Sequence, residues 1–110
     1  MKRFWMSYDF GIDGDYDGLY AWLDEINAVE CGDGFCSFQI EIGAKEPPAA
    51  VLAALKKNKV GLRKKDRIYL VWRRENGAVT GKFIAGARRR APWSGYATLE
   101  AEEETEDAAD

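Results

Sequence analysis

The sequence predicts an α+β fold in which two helices cover one face of an antiparallel sheet. Apolar and polar residues alternate along several segments of the 110-residue chain, as they do in strands with one buried face. Two other segments repeat apolar residues at helical spacing. Glycine, asparagine and aspartate separate the segments, and Asn76-Gly77 is typical of a two-residue hairpin turn. The length suits one domain with a single core.

The first half of the chain predicts a strand, a helix and a hairpin. A strand is expected over 2–10, because alternate residues are apolar from Phe4 onward. A helix follows at about 15–27, with apolar residues on one side and an acidic first turn that suits the helix dipole. Segments 28–31 and 35–42 are predicted to pair as a hairpin.

The second half predicts a helix followed by two strands. Pro47-Pro48 opens the helix, because proline is tolerated in a first helical turn. A basic loop over 58–66 leads to a strand over 67–74. After the turn at Asn76-Gly77, a last strand is expected over 79–85.

The predicted order is β-α-β-β-α-β-β. Its first six elements follow the split β-α-β order of ferredoxin-like folds, with an extra C-terminal strand. We expect one ferredoxin-like domain over 1–99. The segment 100–110 is predicted to be a disordered acidic tail, because it has too few apolar residues to offset its ordering entropy. The tail serves either solubility or competition with nucleic acid for the basic residues.

Alternation also predicts which residues lie on the face of the sheet opposite the helices. A sheet that exposes Trp, Phe and Tyr there requires a partner, either a second subunit or stacked bases. RNA binding on Trp5, Phe35 and Tyr69 is one alternative. The residues predicted for this face are Trp5, Ser7, Asp9, Phe35, Ser37, Gln39, Tyr69, Val71 and Arg73.

Composition excludes several classes of function. The sequence contains no histidine, so a Ser-His-Asp triad or an imidazole general base cannot form in this chain. Its apolar stretches are far shorter than the roughly 20 residues that a membrane span requires. The first residues do not resemble the apolar core of a signal peptide. The sequence therefore predicts a cytoplasmic protein with no membrane partner.

The net charge of −3 conceals a strong segregation. Segments 1–55 and 91–110 each carry −7, whereas 56–90 holds thirteen basic residues against two acidic ones, or +11. Clustered Lys and Arg near aromatic residues are typical of a groove that follows phosphates, although solvated edges of the fold also carry such charges. The candidate nucleic-acid-binding residues are Lys56, Lys57, Lys59, Arg63, Lys64, Lys65, Arg73, Arg74, Arg88, Arg89 and Arg90.

Four short motifs resemble a known family. They are Ser7-Tyr8-Asp9-Phe10 at a strand end, Asp15-Tyr16-Asp17-Gly18-Leu19 at a helix start, Asp66-Arg67 before an apolar strand, and Trp93-Ser94-Gly95-Tyr96. Over about residues 2–97 the chain is similar to the Cas-two-like small proteins of CRISPR adaptation, and more so to their SinR-like relatives. It departs from the latter at 29–34, where they carry a Trp/His-rich stretch.

This resemblance implies a ferredoxin-like subunit that forms a homodimer. In the nuclease branch of the family, the aspartate at the strand end holds a divalent metal for phosphodiester cleavage. Asp9 is the position that matches, so it is the candidate catalytic and metal-binding residue, with Mg²⁺ or Mn²⁺ as cofactor. From the residues alone, Asp9 could instead cap the glycine-rich turn that follows it.

Two further groups of residues allow alternative interpretations. Asp13, Asp15 and Asp17 have the spacing of a Ca²⁺ loop, but Asp15 and Asp17 also suit the start of a helix. Cys31 and Cys36 are expected to be reduced, either as two buried small side chains or as a redox pair.

The predicted function is a Cas-two-like nucleic-acid-binding protein of a defence or mobile-element system, with metal-dependent endonuclease activity as a further possibility. The alternative is a non-catalytic protein-interaction module, such as a toxin–antitoxin component or a phage-encoded inhibitor of a defence complex. In that case the aromatic sheet face and the acidic segments 13–17 and 100–107 would bind a protein partner.

Overall fold

The computed structural model describes residues 1–98, and the predicted tail at 100–110 lies outside them. Strands and helices occur at all the predicted places, with bounds that differ by at most two residues. In chain order they are β1 (Lys2–Asp9), α1 (Tyr16–Glu25), β2 (Val29–Glu30), β3 (Phe35–Ile40), α2 (Pro47–Lys57), β4 (Arg67–Arg73) and β5 (Val79–Ala85).

The five strands form one antiparallel sheet in the order β2-β3-β1-β4-β5. The predicted α+β class is therefore confirmed. The order of the first four strands is compatible with a ferredoxin-like arrangement, and β5 extends the sheet beyond β4. The strand ends define two ends of the sheet. We call the end at which β1 finishes and β4 begins the upper end, and the opposite end the lower end.

The core lies between the sheet and the two helices. Alternate residues of β1, β3 and β4 point to the helices, whose apolar stripes supply Leu19, Trp22, Val51 and Leu55. Burial of this apolar area provides most of the stabilisation of such a domain. The sheet contributes Phe4, Met6, Cys36, Phe38, Ile40, Ile68, Leu70 and Trp72.

Ser37 departs from the alternation, because it is buried although its strand position faces away from the helices. Its hydroxyl accepts a hydrogen bond from Arg3 Nη1 at 3.0 Å and donates to the carbonyl of Phe4 at 3.0 Å. These contacts satisfy the polar group and allow its burial.

Two aspartates tie the loops at the upper end together. The carboxylate of Asp66, 1% exposed, accepts hydrogen bonds from the backbone N–H of Gly11 at 3.3 Å and of Arg63 at 2.8 Å. Asp15 caps α1 by accepting from Gly18 N–H at 2.9 Å and also accepts from Gly61 N–H at 2.8 Å. The loop after β1 is thereby attached to the loop before β4.

Replacing Asp66 with alanine leaves the amides of Gly11 and Arg63 without their acceptor. We expect the free energy of unfolding to fall by about 1–3 kcal/mol, because two part-buried donors lose their partner. Urea denaturation followed by tryptophan fluorescence measures the change. The control is Glu75→Ala in the exposed β4–β5 turn, which should change stability by less than about 0.5 kcal/mol. Equal losses in both variants would contradict this role of Asp66.

The stabilisation by Asp15 should depend on pH. Hydrogen bonds from Gly61 and Gly18, with the charge of Arg63, hold the pKa of Asp15 below its usual value. A lowered pKa in the folded state stabilises the protein above the unfolded pKa of about 4, and this stabilisation disappears as pH falls through the folded value. We expect wild type to lose more of its urea midpoint than Asp15→Asn between neutral and acidic pH. If the urea midpoints of the two proteins fell equally between neutral and acidic pH, Asp15 would make no such contribution.

Candidate nucleic-acid interface

The face of the sheet without helices, called the open face below, carries an aromatic row across four strands. Ser7 pairs with Phe35 on one side and with Tyr69 on the other, and Tyr69 pairs with Phe83. Trp5 precedes Ser7 on the same face of β1, and Trp5 and Phe35 are each 36% exposed. Strands lie about 4.8 Å apart, so Phe35 and Tyr69 are about 10 Å apart across Ser7. Three aromatic residues thus surround one small side chain.

Tyr69 leans away from Ser7 towards β5. Its ring lies on the backbone of Gly81, where a Cβ atom would collide with it, and meets Phe83 edge-on with 4.8 Å between ring centroids. Glycine at 81 therefore provides the space into which Tyr69 folds. The hydroxyl of Ser7 consequently stays exposed between Trp5 and Phe35.

Arginines lie over the aromatic pair on this face. The guanidinium carbon of Arg88 is 5.8 Å from the centroid of Tyr69 and 5.6 Å from that of Phe83. Arg67 approaches Phe83 to 5.6 Å. Such cation–π contacts hold a guanidinium over a ring while its N–H groups remain available to other acceptors.

Asp9 lies at the upper end of the open face, beside Arg67 and a further arginine, Arg89. Its Oδ2 is 3.1 Å from Arg89 Nη2 and 3.8 Å from Arg67 Nη2. The side chain of Asp9 is 59% exposed. The Asp9 side chain therefore forms ion pairs with arginines. Among residues 1–98 it accepts no hydrogen bond from the turn that follows it.

The remaining predicted cations of β4 and the turn after it lie far from Asp9, either at the other end or on the other side of the sheet. Arg73 lies on the open face at the lower end, about 20 Å from Arg67 along β4. Arg74 lines a groove of about 1180 Å³ on the other side of the sheet, between the start of α2 and the β4–β5 hairpin. Lys2 and Lys82 also line this groove.

The lysines of α2 lie apart from the open face. Lys56 and Lys57 occupy the last turn of α2, in the helix layer, and Lys59 follows in the next loop. All three are exposed, as are Arg63, Lys64 and Lys65 in the loop before β4, and Arg90 after Arg89. Only part of the basic segment thus reaches the aromatic row.

The acidic segment 13–17 caps a helix. Both oxygens of Asp15 accept backbone hydrogen bonds, so the helix-start interpretation is confirmed for this residue. Within residues 1–98 no group of three or more His, Cys, Asp or Glu side chains is arranged to hold a metal ion.

The two cysteines differ in exposure. Cys36 is buried on the helix side of β3, and burial together with the charge of Cys31 raises its pKa to about 12. Cys31 is exposed, so the prediction that both thiols are buried is wrong for this residue. The register explains the difference, because Glu30 pairs with Cys36 and Cys31 lies one position further, in the turn. Both thiols are free in this structure.

A second cavity, of about 380 Å³, lies between α1 and the β2–β3 hairpin. Tyr8 and Tyr20 line it with three carboxylates, those of Asp24, Glu30 and Asp33. Burial, followed by the neighbouring Tyr20, raises the pKa of Tyr8 to about 12. The cavity is therefore aromatic and acidic.

Sequence reasoning did not select Arg3 or Gly81, and it counted Arg67 and Phe83 only as members of the basic segment 56–90 and its nearby aromatic residues. Arg67 and Phe83 enter the site through the pairing of β4 with β5. A signal was present in the alternation of β5, which places 79, 81 and 83 on one face. The alternation alone does not show which side of the sheet these residues face, because that depends on how β5 pairs with β4.

Comparison with protein-family models, with curated proteins and with solved structures finds no match to this chain. Among residues 1–98, no helix combines the length and the apolar character needed to cross a lipid bilayer.

Two double variants of equal charge test whether the cations of the open face, and not those of the helix layer, contact nucleic acid. Arg88→Gln/Arg89→Gln removes two cations from the open face, and Lys56→Gln/Lys57→Gln removes two from the helix layer. We expect the first pair to lower the slope of log K against log salt for single-stranded RNA by about 1.4, at about 0.7 per lost phosphate contact. The second pair should leave the slope nearly unchanged. Fluorescence anisotropy at several salt concentrations measures both, and equal slopes for the two variants would contradict this assignment of the contacts.

Proposed function

We propose that the protein binds single-stranded nucleic acid on its open face. The observation that carries this proposal is the aromatic row around Ser7 on the face without helices, where Trp5 and Phe35 are exposed. Bases of a single strand are free to stack on aromatic side chains, whereas paired bases within a duplex are not. The row therefore favours RNA or DNA in single-stranded form.

The charges near the row support the same proposal. Arg67, Arg88 and Arg89 lie at its upper end, where they can neutralise backbone phosphates next to stacked bases. Arg3 and Arg73 add cations towards the lower end of the open face. The combination of rings and cations matches the chemistry of a nucleotide chain better than that of an apolar protein surface.

We also propose that the domain is ferredoxin-like and that the protein is Cas-two-like. A ferredoxin-like domain with an added strand is compatible with the strand order, and the resemblance of the Tyr8-Asp9 strand end favours a Cas-two-like protein. On that basis we propose a role in a defence or mobile-element system, and a homodimer as the assembled form. These statements rest on the resemblance and on the order of the strands.

A divalent cation fits poorly at Asp9 within one subunit. Two guanidinium groups already lie 3.1 and 3.8 Å from its Oδ2, and their positive charge opposes a second cation at the same oxygen. Mg²⁺ or Mn²⁺ would require both arginines to move away. We therefore propose binding, and not metal-dependent cleavage, as the primary function.

A protein-interaction module is the second candidate, and the acidic cavity favours it. Tyr8 and Tyr20 with the carboxylates of Asp24, Glu30 and Asp33 would suit a cationic side chain of a partner. A toxin–antitoxin component or an inhibitor of a defence complex would use this side of the molecule. Retrieval of a protein partner that resists nuclease treatment would favour this candidate.

Truncating the exposed rings should weaken nucleic-acid binding without unfolding the protein. We expect Trp5→Ala and Phe35→Ala each to lower the affinity for single-stranded RNA by about 1–3 kcal/mol, the range for one base stacked on one aromatic ring. Fluorescence anisotropy measures the affinity, and single-stranded DNA of equal length gives the preference between the two polymers.

Tyr20→Ala is the matched control, because Tyr20 is 50% exposed but lies on α1. Light scattering of each variant reports the oligomeric state. Unchanged affinity in Trp5→Ala together with conversion of a dimer to a monomer would show that the open face is a subunit interface, and would overturn the proposal.

A further inference from the structure

We propose that Arg67 and Arg89 form a binding site for a backbone phosphate, and that Asp9 occupies this site when no ligand is bound. The inference rests on the proposed function and adds a defined anion site to it. Its basis is the meeting of two guanidinium groups at one carboxylate oxygen, at 3.1 Å for Arg89 and 3.8 Å for Arg67.

The guanidinium of Arg67 is held in place but incompletely paired. Its Nη1 donates to the carbonyl of Ala87 at 3.4 Å, and its guanidinium carbon is 5.6 Å from the ring centroid of Phe83. Its Nη2 is 3.8 Å from Asp9, beyond hydrogen-bond range, and its buried Nε has no partner among the described residues. Arg67 thus retains donor capacity that Asp9 does not use.

A phosphodiester suits the two arginines better than the carboxylate does. Asp9 offers the same Oδ2 to both, so only one of them reaches it at hydrogen-bond distance. In a phosphodiester one negative charge is shared by two non-bridging oxygens on a tetrahedral phosphorus, and because this ligand is not tethered to β1 it can offer one oxygen to each guanidinium. The geometry therefore favours phosphate once the carboxylate moves aside.

Displacing the Asp9 carboxylate from the two arginines should require little free energy. Its side chain is 59% exposed and that of Arg89 is 67% exposed, so the pair lies in a high dielectric where ion pairs are weak. Asp9 can then turn to solvent without losing a buried contact. The carboxylate is thus a weakly held internal counter-ion of the two arginines in the free protein.

The position of this site is consistent with the aromatic row. Asp9 lies two residues after Ser7 on the same face of β1, a distance of about 7 Å along the strand. A base stacked beside Ser7 would therefore place its own backbone close to Arg67 and Arg89. The phosphate site and the stacking site would then hold one nucleotide chain.

Neutralising Asp9 should strengthen nucleic-acid binding. We expect Asp9→Asn to raise the affinity for single-stranded RNA by about two- to fivefold at low salt, because the internal competitor is removed. Glu25→Gln is the control: it makes the same charge change on an exposed residue of α1 that lines neither cavity. Asp9→Glu keeps the competing charge and should bind like wild type. Circular dichroism confirms folding of each variant, and anisotropy measures the affinity.

Three results would overturn the phosphate site. Asp9→Asn could bind no more tightly than Glu25→Gln, it could bind more weakly than wild type, or it could abolish an Mg²⁺-dependent cleavage that wild type shows. Failure of the proposed function is recognised separately, because wild type itself would then show no salt-dependent binding. A strong effect of Trp5→Ala with none from Asp9→Asn would reject only the phosphate site.

Discussion

The buried carboxylate of Asp66 is the contact on which the upper end of the sheet depends. It joins the loop after β1 to the loop before β4 through the amides of Gly11 and Arg63. Because Asp66 immediately precedes Arg67, the same contact determines where β4 begins. Arg67 then pairs with Asp9 in the register of the sheet. A buried polar residue of the loop before β4 thus positions the charged groups at the start of that strand.

The sheet also separates charges that the net value of −3 averages out. Carboxylates of α1 and of the β2–β3 hairpin surround an acidic cavity, whereas arginines collect on the open face. Two helices, each about 10 Å wide, leave the outermost strand with little cover. That geometry explains why a groove is left between the start of α2 and the β4–β5 hairpin. One small domain consequently presents surfaces of opposite sign, suited to different partners.

The sequence predicted the faces of the sheet well, because side-chain alternation along a strand is a local property. Trp5 and Phe35 are exposed on the open face as expected, and Asp9 lies there too. What could not be predicted depends on contacts between distant segments. Arg89 meets Asp9 across 80 positions of the chain, and Ser37 is buried by hydrogen bonds that involve the first strand. Charge counting likewise treated the basic residues as one group, although the fold distributes them over two faces.

The unequal exposure of the two cysteines makes this protein easy to label. Burial and the raised pKa keep Cys36 protonated and out of reach of alkylating reagents. Cys31 is exposed, and its backbone N–H donates to the carbonyl of Phe35 at 2.9 Å. A maleimide fluorophore would therefore attach at one position of the natural chain, at the rim of the open face. Its emission would report occupancy there without any engineered substitution.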